Sequence, residues 1–189
     1  MIIKGQHSYC AGQISVKFSD SGENLIIGDY CSIGVGLDIF LGGEHRIDWI
    51  STYPFSVMLK GSPTIENHRT TKGSVIIGND VWIGDNVTVK SGVIIGDGAV
   101  IGSCSVITKN IGDYEIWAGN PARFIRKRFD EEAIKLLKEI RWWEWTEEEI
   151  IRVVPILSSG DIKNLKGFYE QLKNEKIVRE NDNDYCACL

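Results

Sequence analysis

Residues 75–111 read VIIGNDVWIGDNVTVKSGVIIGDGAVIGSCSVITKNI. Ile77, Ile83, Val89, Ile95, Ile101 and Ile107 fall six residues apart without a slip, and Val81, Val87, Val93, Ala99 and Ser105 recur four residues after each of the first five. Helices repeat near 3.6 residues and strands near 2, so a strict period of six belongs to neither alone. Gly78, Gly84, Gly96 and Gly102 follow four of the large aliphatics, and Asn79, Asp80, Asp85, Asn86 and Asp97 fill the next places. This hexapeptide repeat predicts a short strand and then a tight bend in each unit. The aliphatic side chain points into a coil and stacks on its equivalents above and below. Each coil then needs neighbours, and the open ends need caps.

Outward from the tract, the same order of aliphatic then glycine appears in Ile27-Gly28-Asp29-Tyr30-Cys31-Ser32 and Ile33-Gly34-Val35-Gly36-Leu37-Asp38, and Ile39 keeps the step. The first 25 residues, with Tyr9, Ile14, Val16 and Phe18 among Gly and Ser, predict short strands and turns that close one end. Residues 42–74, GGEHRIDWISTYPFSVMLKGSPTIENHRTTKGS, break the period. A polar, aromatic and proline-bearing excursion of this length marks function. Downstream, the turn Gly119-Asn120-Pro121 and a basic run lead to Ile134, Leu137, Ile140 and Trp143 at helical spacing, with Asp130 as N-cap. Thr146-Glu147-Glu148-Glu149 is a capping-box pattern, and 161–174 reads as a third helix. The expected organisation is a coil domain over 1–128 carrying the excursion 42–74, a helical extension over 129–174, and a flexible tail over 175–189.

A chain of 189 residues buries one good core. A net charge of -5 and an isoelectric point near 5.3 argue against nucleic-acid or anionic-membrane partners, although a basic run from Lys109 to Arg128 suits an anionic ligand. No stretch approaches the ~18 apolar residues of a membrane span, and the first residues lack the apolar segment of a secretory signal, so a soluble cytoplasmic protein is expected. Cysteines at 10, 31, 104, 186 and 188 have no metal-ligand spacing and read as reduced thiols, and no metal is expected. The closing CACL formally fits a prenylation box, but a frayed end explains it more simply.

Taken together, Gly43-Glu44-His45-Arg46 leading to Ser51-Thr52-Tyr53-Pro54-Phe55, Ile77-Gly78-Asn79-Asp80-Val81-Trp82-Ile83-Gly84, Val106-Ile107-Thr108-Lys109, Gly119-Asn120-Pro121-Ala122 and Trp142-Trp143-Glu144-Trp145 resemble the hexapeptide-repeat acyltransferases. The likeness runs from about Tyr9 to Asp161 and is nearest to the xenobiotic acetyltransferase group, which holds type B chloramphenicol and streptogramin acetyltransferases alongside sugar O-acetyltransferases. It implies a mainly β fold: a left-handed parallel β-helix with a loop excursion and a small C-terminal helical segment. It also implies acetyl-CoA as donor and a homotrimer with active sites between subunits.

Acyl transfer from a thioester needs a base for the attacking hydroxyl or amine, and a neutral imidazole suits that near pH 7. From the residues alone, His45 reads as a loop histidine capping the coil; the resemblance makes it the general base. His68 is the rival, and His7 lies in the expected cap. For the donor, Gly84, Asp85 and Ser103 occupy turns whose backbone suits the pantetheine arm, with no role expected for the Asp85 side chain. Thr108, Lys109, Arg123 and Arg126 resemble family positions near the coenzyme phosphates, whereas Arg128 reads as a solvated face. Asp48, Trp49, Tyr53 and Trp82 are the acceptor candidates, with packing an equal alternative for Tyr53 and Trp82. Trp142, Trp143 and Trp145 are expected to bury the C-terminal helix. The expected acceptor is a hydroxyl of a sugar or sugar nucleotide, since Asp48-Trp49 interrupts a spacing associated with some resistance enzymes. A sugar amine or an antibiotic hydroxyl is the alternative, and a non-catalytic β-helix scaffold is the contrasting class.

Overall fold

The structure, a computed structural model, describes the backbone of residues 1–18 and 22–186, with side chains through Glu175 and at Ile177. The chain divides into two units, Met1–Arg128 and Phe129–Leu189.

The first unit is a three-faced stack of coils. One face holds Ile2–Lys4, Leu25–Ile27, Val75–Ile77 and Ile94–Ile95; the second holds Tyr9–Cys10, Ser32–Ile33, Trp82–Ile83, Val100–Ile101 and Glu115–Gly119; the third holds Ile14–Lys17, Leu37–Phe40, Thr88–Val89 and Val106–Ile107. All these pairings are parallel. The N-terminal segments are therefore a full first coil, in register with the second. Partners are 18 residues apart within the tract (Ile76 with Ile94) but 50 apart across the excursion (Ile26 with Ile76), so the excursion adds 32 residues without disturbing the stack.

The interior is the aliphatic column that the period of six predicts. Leu25, Ile27, Ile33, Leu37, Ile39, Ile77, Ile83, Val89, Ile95, Ile101 and Ile107 are all buried, as are Val81, Val87, Val93, Ala99 and Ser105 at the second interior place. Each large side chain removed from water contributes about 1.5–3 kcal/mol.

The polar residues after the glycines form columns of their own. Asp29 N–H donates to Asn79 Oδ1 at 2.8 Å, Asn79 N–H to Asp97 Oδ1 at 2.7 Å, and Asp97 N–H to Asp113 Oδ1 at 3.0 Å, down the edge between the first and second faces. A side chain on Gly28 or Gly78 would stand 2.5 Å from the Asn79 or Asp97 oxygen below it. Glycine followed by Asn or Asp thus recurs because the carboxamide or carboxylate of one coil reaches under the backbone of the next.

At the far end Ala122–Lys127 turns back antiparallel against Glu115–Gly119, so the basic run is a capping strand. Arg128 is not a solvated residue as expected. Its guanidinium donates to Asp80 Oδ2 at 3.0 Å and to the Gly98 carbonyl at 2.8 Å, and lies over the Tyr114 ring, fastening the end of the unit to two coils.

In the second unit Glu131–Ile140 is helical, capped by Asp130 accepting from Ala133 N–H at 2.8 Å, with Ile134, Leu137 and Ile140 buried. Arg141 takes a left-handed conformation (φ 44°) and ends it. The tryptophans expected on this helix therefore lie beyond it: Trp143 is buried in the short turn Trp142–Glu144, and Trp145 stacks on Tyr169. The capping box at Thr146 and Glu149 opens the helix Glu147–Leu157. The last helix, Ile162–Cys186, runs past residue 174, where the sequence pattern ended it. Of the tail expected to be flexible, residues 187–189 and the side chains of 176 and 178–189, including Cys186 and Cys188, lie outside the described residues.

Candidate active site

His45 lies on the excursion, where Glu44–His45 pairs antiparallel with Arg69–Thr70 in a ribbon separate from the three faces. Its ring is exposed, with Nδ1 2.6 Å from the Thr52 carbonyl oxygen. A carbonyl only accepts, so Nδ1 carries the hydrogen, and in the neutral ring the lone pair is then on Nε2. That is the tautomer a general base requires.

The neighbouring Arg46 guanidinium grips Asp48, with Nε 2.7 Å from Oδ1 and a second contact from Nη2 to Oδ2. This bond holds the Asp48 carboxyl down at about 2. Arg46 also lies over the Trp49 ring, 5.3 Å from its centroid. Asp48 is thus engaged within the loop, while Trp49 and Tyr53 line a cavity of about 560 Å³ with Ile50, Pro54, Phe55, Ile65 and His68. Thr52, which orients His45, sits between two of the lining residues, Ser51 and Tyr53. His68, the rival base, has its Nε2 buried and without a hydrogen-bond partner among the described residues. Trp82 does not join this group: it is half-exposed on the second face, between Ser32 and Val100 in register.

Gly84, Asp85 and Ser103 share the edge between the second and third faces. Ser103 Oγ accepts from Asp85 N–H at 3.1 Å, and a side chain on Gly84 would come within 2.5 Å of that hydroxyl. Contrary to expectation the Asp85 side chain has a task, accepting from Val35 N–H at 2.8 Å. Thr108 and Lys109 are exposed after the last strand of the third face, the edge from which the excursion also departs. Arg123 and Arg126 are exposed on the capping strand, where they donate to the neighbouring carbonyls of Ala122 and Lys127. Within one chain, then, the turns at Gly84, Asp85 and Ser103 and the candidate base occupy different edges of the stack, whereas Thr108 and Lys109 lie on the edge that carries the base.

Sequence reasoning missed Thr52, the Arg46–Asp48 pair and the apolar wall of Ile50, Phe55 and Ile65. Only the density of aromatic and aliphatic residues in an exposed loop could have signalled that wall.

Residues 74–109 match the bacterial transferase hexapeptide (six repeats) family. The chain is 39% identical over 183 residues to a chloramphenicol acetyltransferase of Agrobacterium fabrum (strain C58 / ATCC 33970), covering 89% of this chain and 87% of that protein. It is 48% identical over 143 residues to a probable macrolide acetyltransferase of Lysinibacillus sphaericus, covering 73% and 79%. Among solved structures, a galactoside acetyltransferase in complex with coenzyme A superposes with a TM-score of 0.53 at 28% identity, over 69% of this chain and 57% of that one, so this chain spans a little over half of that protein. The three-faced coil stack is the left-handed parallel β-helix, and the chain belongs to the hexapeptide-repeat family of acetyl-CoA-dependent acetyltransferases, in the xenobiotic acetyltransferase group.

Proposed function

We propose that this chain transfers an acetyl group from acetyl-CoA directly to a hydroxyl of a small, largely apolar acceptor, with His45 as general base. The observation that carries the reading is the His45 tautomer, set by the Thr52 carbonyl. His45 Nε2 takes the acceptor proton as the oxygen attacks the thioester carbonyl, and the imidazolium gives it to the departing thiolate as the C–S bond breaks; a base placed in this way contributes about 10²–10⁴-fold. The turns at Gly84, Asp85 and Ser103 hold the pantetheine arm through backbone groups. Thr108, Lys109, Arg123 and Arg126 meet the phosphates as hydrogen-bond donors, three of them cationic.

The walls of the cavity beside Thr52 favour an acceptor with an aromatic or aliphatic body. This moves the acceptor away from the sugar nucleotide towards which the Asp48-Trp49 spacing leaned, and towards antibiotics of the kind for which the two sequence relatives are named. A sugar hydroxyl is the second reading, favoured by the likeness to a galactoside acetyltransferase.

Because donor turns and base lie on different edges, the complete site joins two copies in a homotrimer. Ile3, Ile76 and Ile94, aligned outward on the first face and 38–48% exposed in a single chain, offer an apolar contact.

Thiol release from acetyl-CoA with chloramphenicol, a macrolide and a galactoside tests the acceptor. Preferred turnover of either antibiotic supports the reading, preference for the galactoside favours the second, and absence of both turnover and coenzyme binding returns the chain to a scaffold.

A further inference from the structure

His45 rides on a two-residue strand outside the three coil faces, so the ladder that holds the coils does not hold its ring. Alternation along a strand sends the neighbouring Glu44 to the opposite side of the ribbon. There its carboxylate meets the turn at Lys90-Ser91. The Ser91 hydroxyl, 2% exposed, is 3.1 and 3.0 Å from the two carboxylate oxygens, and Lys90 Nζ is 3.6 Å from Oε1. The same Ser91 oxygen accepts from Lys72 N–H at 3.1 Å, and next to it Gly92 N–H donates to the Gly73 carbonyl at 2.9 Å. One turn of the coil stack therefore grips both limbs of the excursion, the outgoing limb at Glu44 and the returning limb at Lys72-Gly73. Thr70 Oγ1 closes the ribbon by donating to the Glu44 carbonyl at 3.2 Å.

We propose that Glu44, acting through Ser91, is a positioning residue for His45. Its carboxylate fixes where the imidazole stands relative to the coil edge without touching either substrate. The proposal rests on the reading of His45 as the base. Releasing the carboxylate frees the outgoing limb from the coil while the returning limb stays held at Lys72 and Gly73, and a reacting group misplaced by about 1 Å loses on the order of 100-fold in rate.

The test uses the full chain with Glu44→Ala, Ser91→Ala, the double variant and Glu44→Gln, which keeps one oxygen to accept from Ser91. Turnover is measured well below each variant's unfolding midpoint, beside the imidazole resonance of the His45 Nδ1–H. Glu44→Ala and Ser91→Ala are each expected to lower kcat roughly 10- to 100-fold with the KM for acetyl-CoA unchanged, the double variant no further, and Glu44→Gln to recover most of the loss. The Nδ1–H signal persists in wild type and Glu44→Gln and is lost in Glu44→Ala.

A merely structural clamp would lower the unfolding midpoint and leave kcat and the resonance intact, which would overturn the proposal. Losses that multiply in the double variant would overturn it too. If His45→Ala retains turnover, the base reading fails separately, and the resonance alone then decides whether Glu44 positions the ring.

Discussion

At the scale of single residues, two side chains of one type meet opposite fates through where the coil puts them. Cys31 is fully buried, its Sγ 3.1 Å from the Gly78 carbonyl oxygen, and burial pushes its thiol above the ordinary value. Cys104 is exposed on a turn in the left-handed conformation (φ 60°). Thiolate is the reactive form, so native protein treated with iodoacetamide at pH 8 is expected to be alkylated at Cys104 and spared at Cys31, which peptide mass mapping would check. A thiol whose folded pKa is raised adds no penalty at neutral pH, where it is protonated in both states, and costs stability once the unfolded thiol ionises at alkaline pH. Equal labelling of both cysteines would show that the column around Cys31 opens readily.

The coil is the element on which the fold depends. Ile101 is 1% exposed and stacked between coils, so Ile101→Asp buries an unpaired carboxylate and is expected to abolish folding, seen as loss of the cooperative thermal transition. Ile101→Val, which removes one methylene, should cost about 0.5–1.5 kcal/mol and keep the transition. This part of the molecule was open to reading from the sequence because every coil obeys the same rule at every sixth residue. The column Asp29–Asn79–Asp97–Asp113 was visible only as a run of polar turn residues. Its role depends on partners 50, 18 and 16 residues away, a spacing that shows the stacking only once the register is known. The excursion obeys no period, so nothing in its pattern announced that Thr52 would orient His45, that Arg46 would engage Asp48, or that Ile50, Phe55, Ile65 and His68 would line one cavity. The family likeness singled out His45. The tryptophans after Ile140 misled because their spacing continues the helical pattern, while Arg141 ends the helix in a conformation that spacing does not encode.

At the scale of the whole molecule, a stack with bare apolar faces is suited to closed assembly. If the homotrimer is correct, light scattering gives three times 21.2 kDa. Ile94→Glu, placed outward on the first face at 46% exposure, should then lower the mass and the turnover together while circular dichroism keeps the coil signature. A fully active monomer would contradict a site shared between copies. Acetyl transfer by His45 is the central claim, and the most direct measurement is kcat for thiol release from acetyl-CoA with the preferred acceptor, compared among wild type, His45→Ala and His68→Ala. His45→Ala is expected to lose about 10²–10⁴-fold with coenzyme binding retained, and His68→Ala far less. Turnover undiminished in His45→Ala, or an equal collapse in His68→Ala alone, would contradict it.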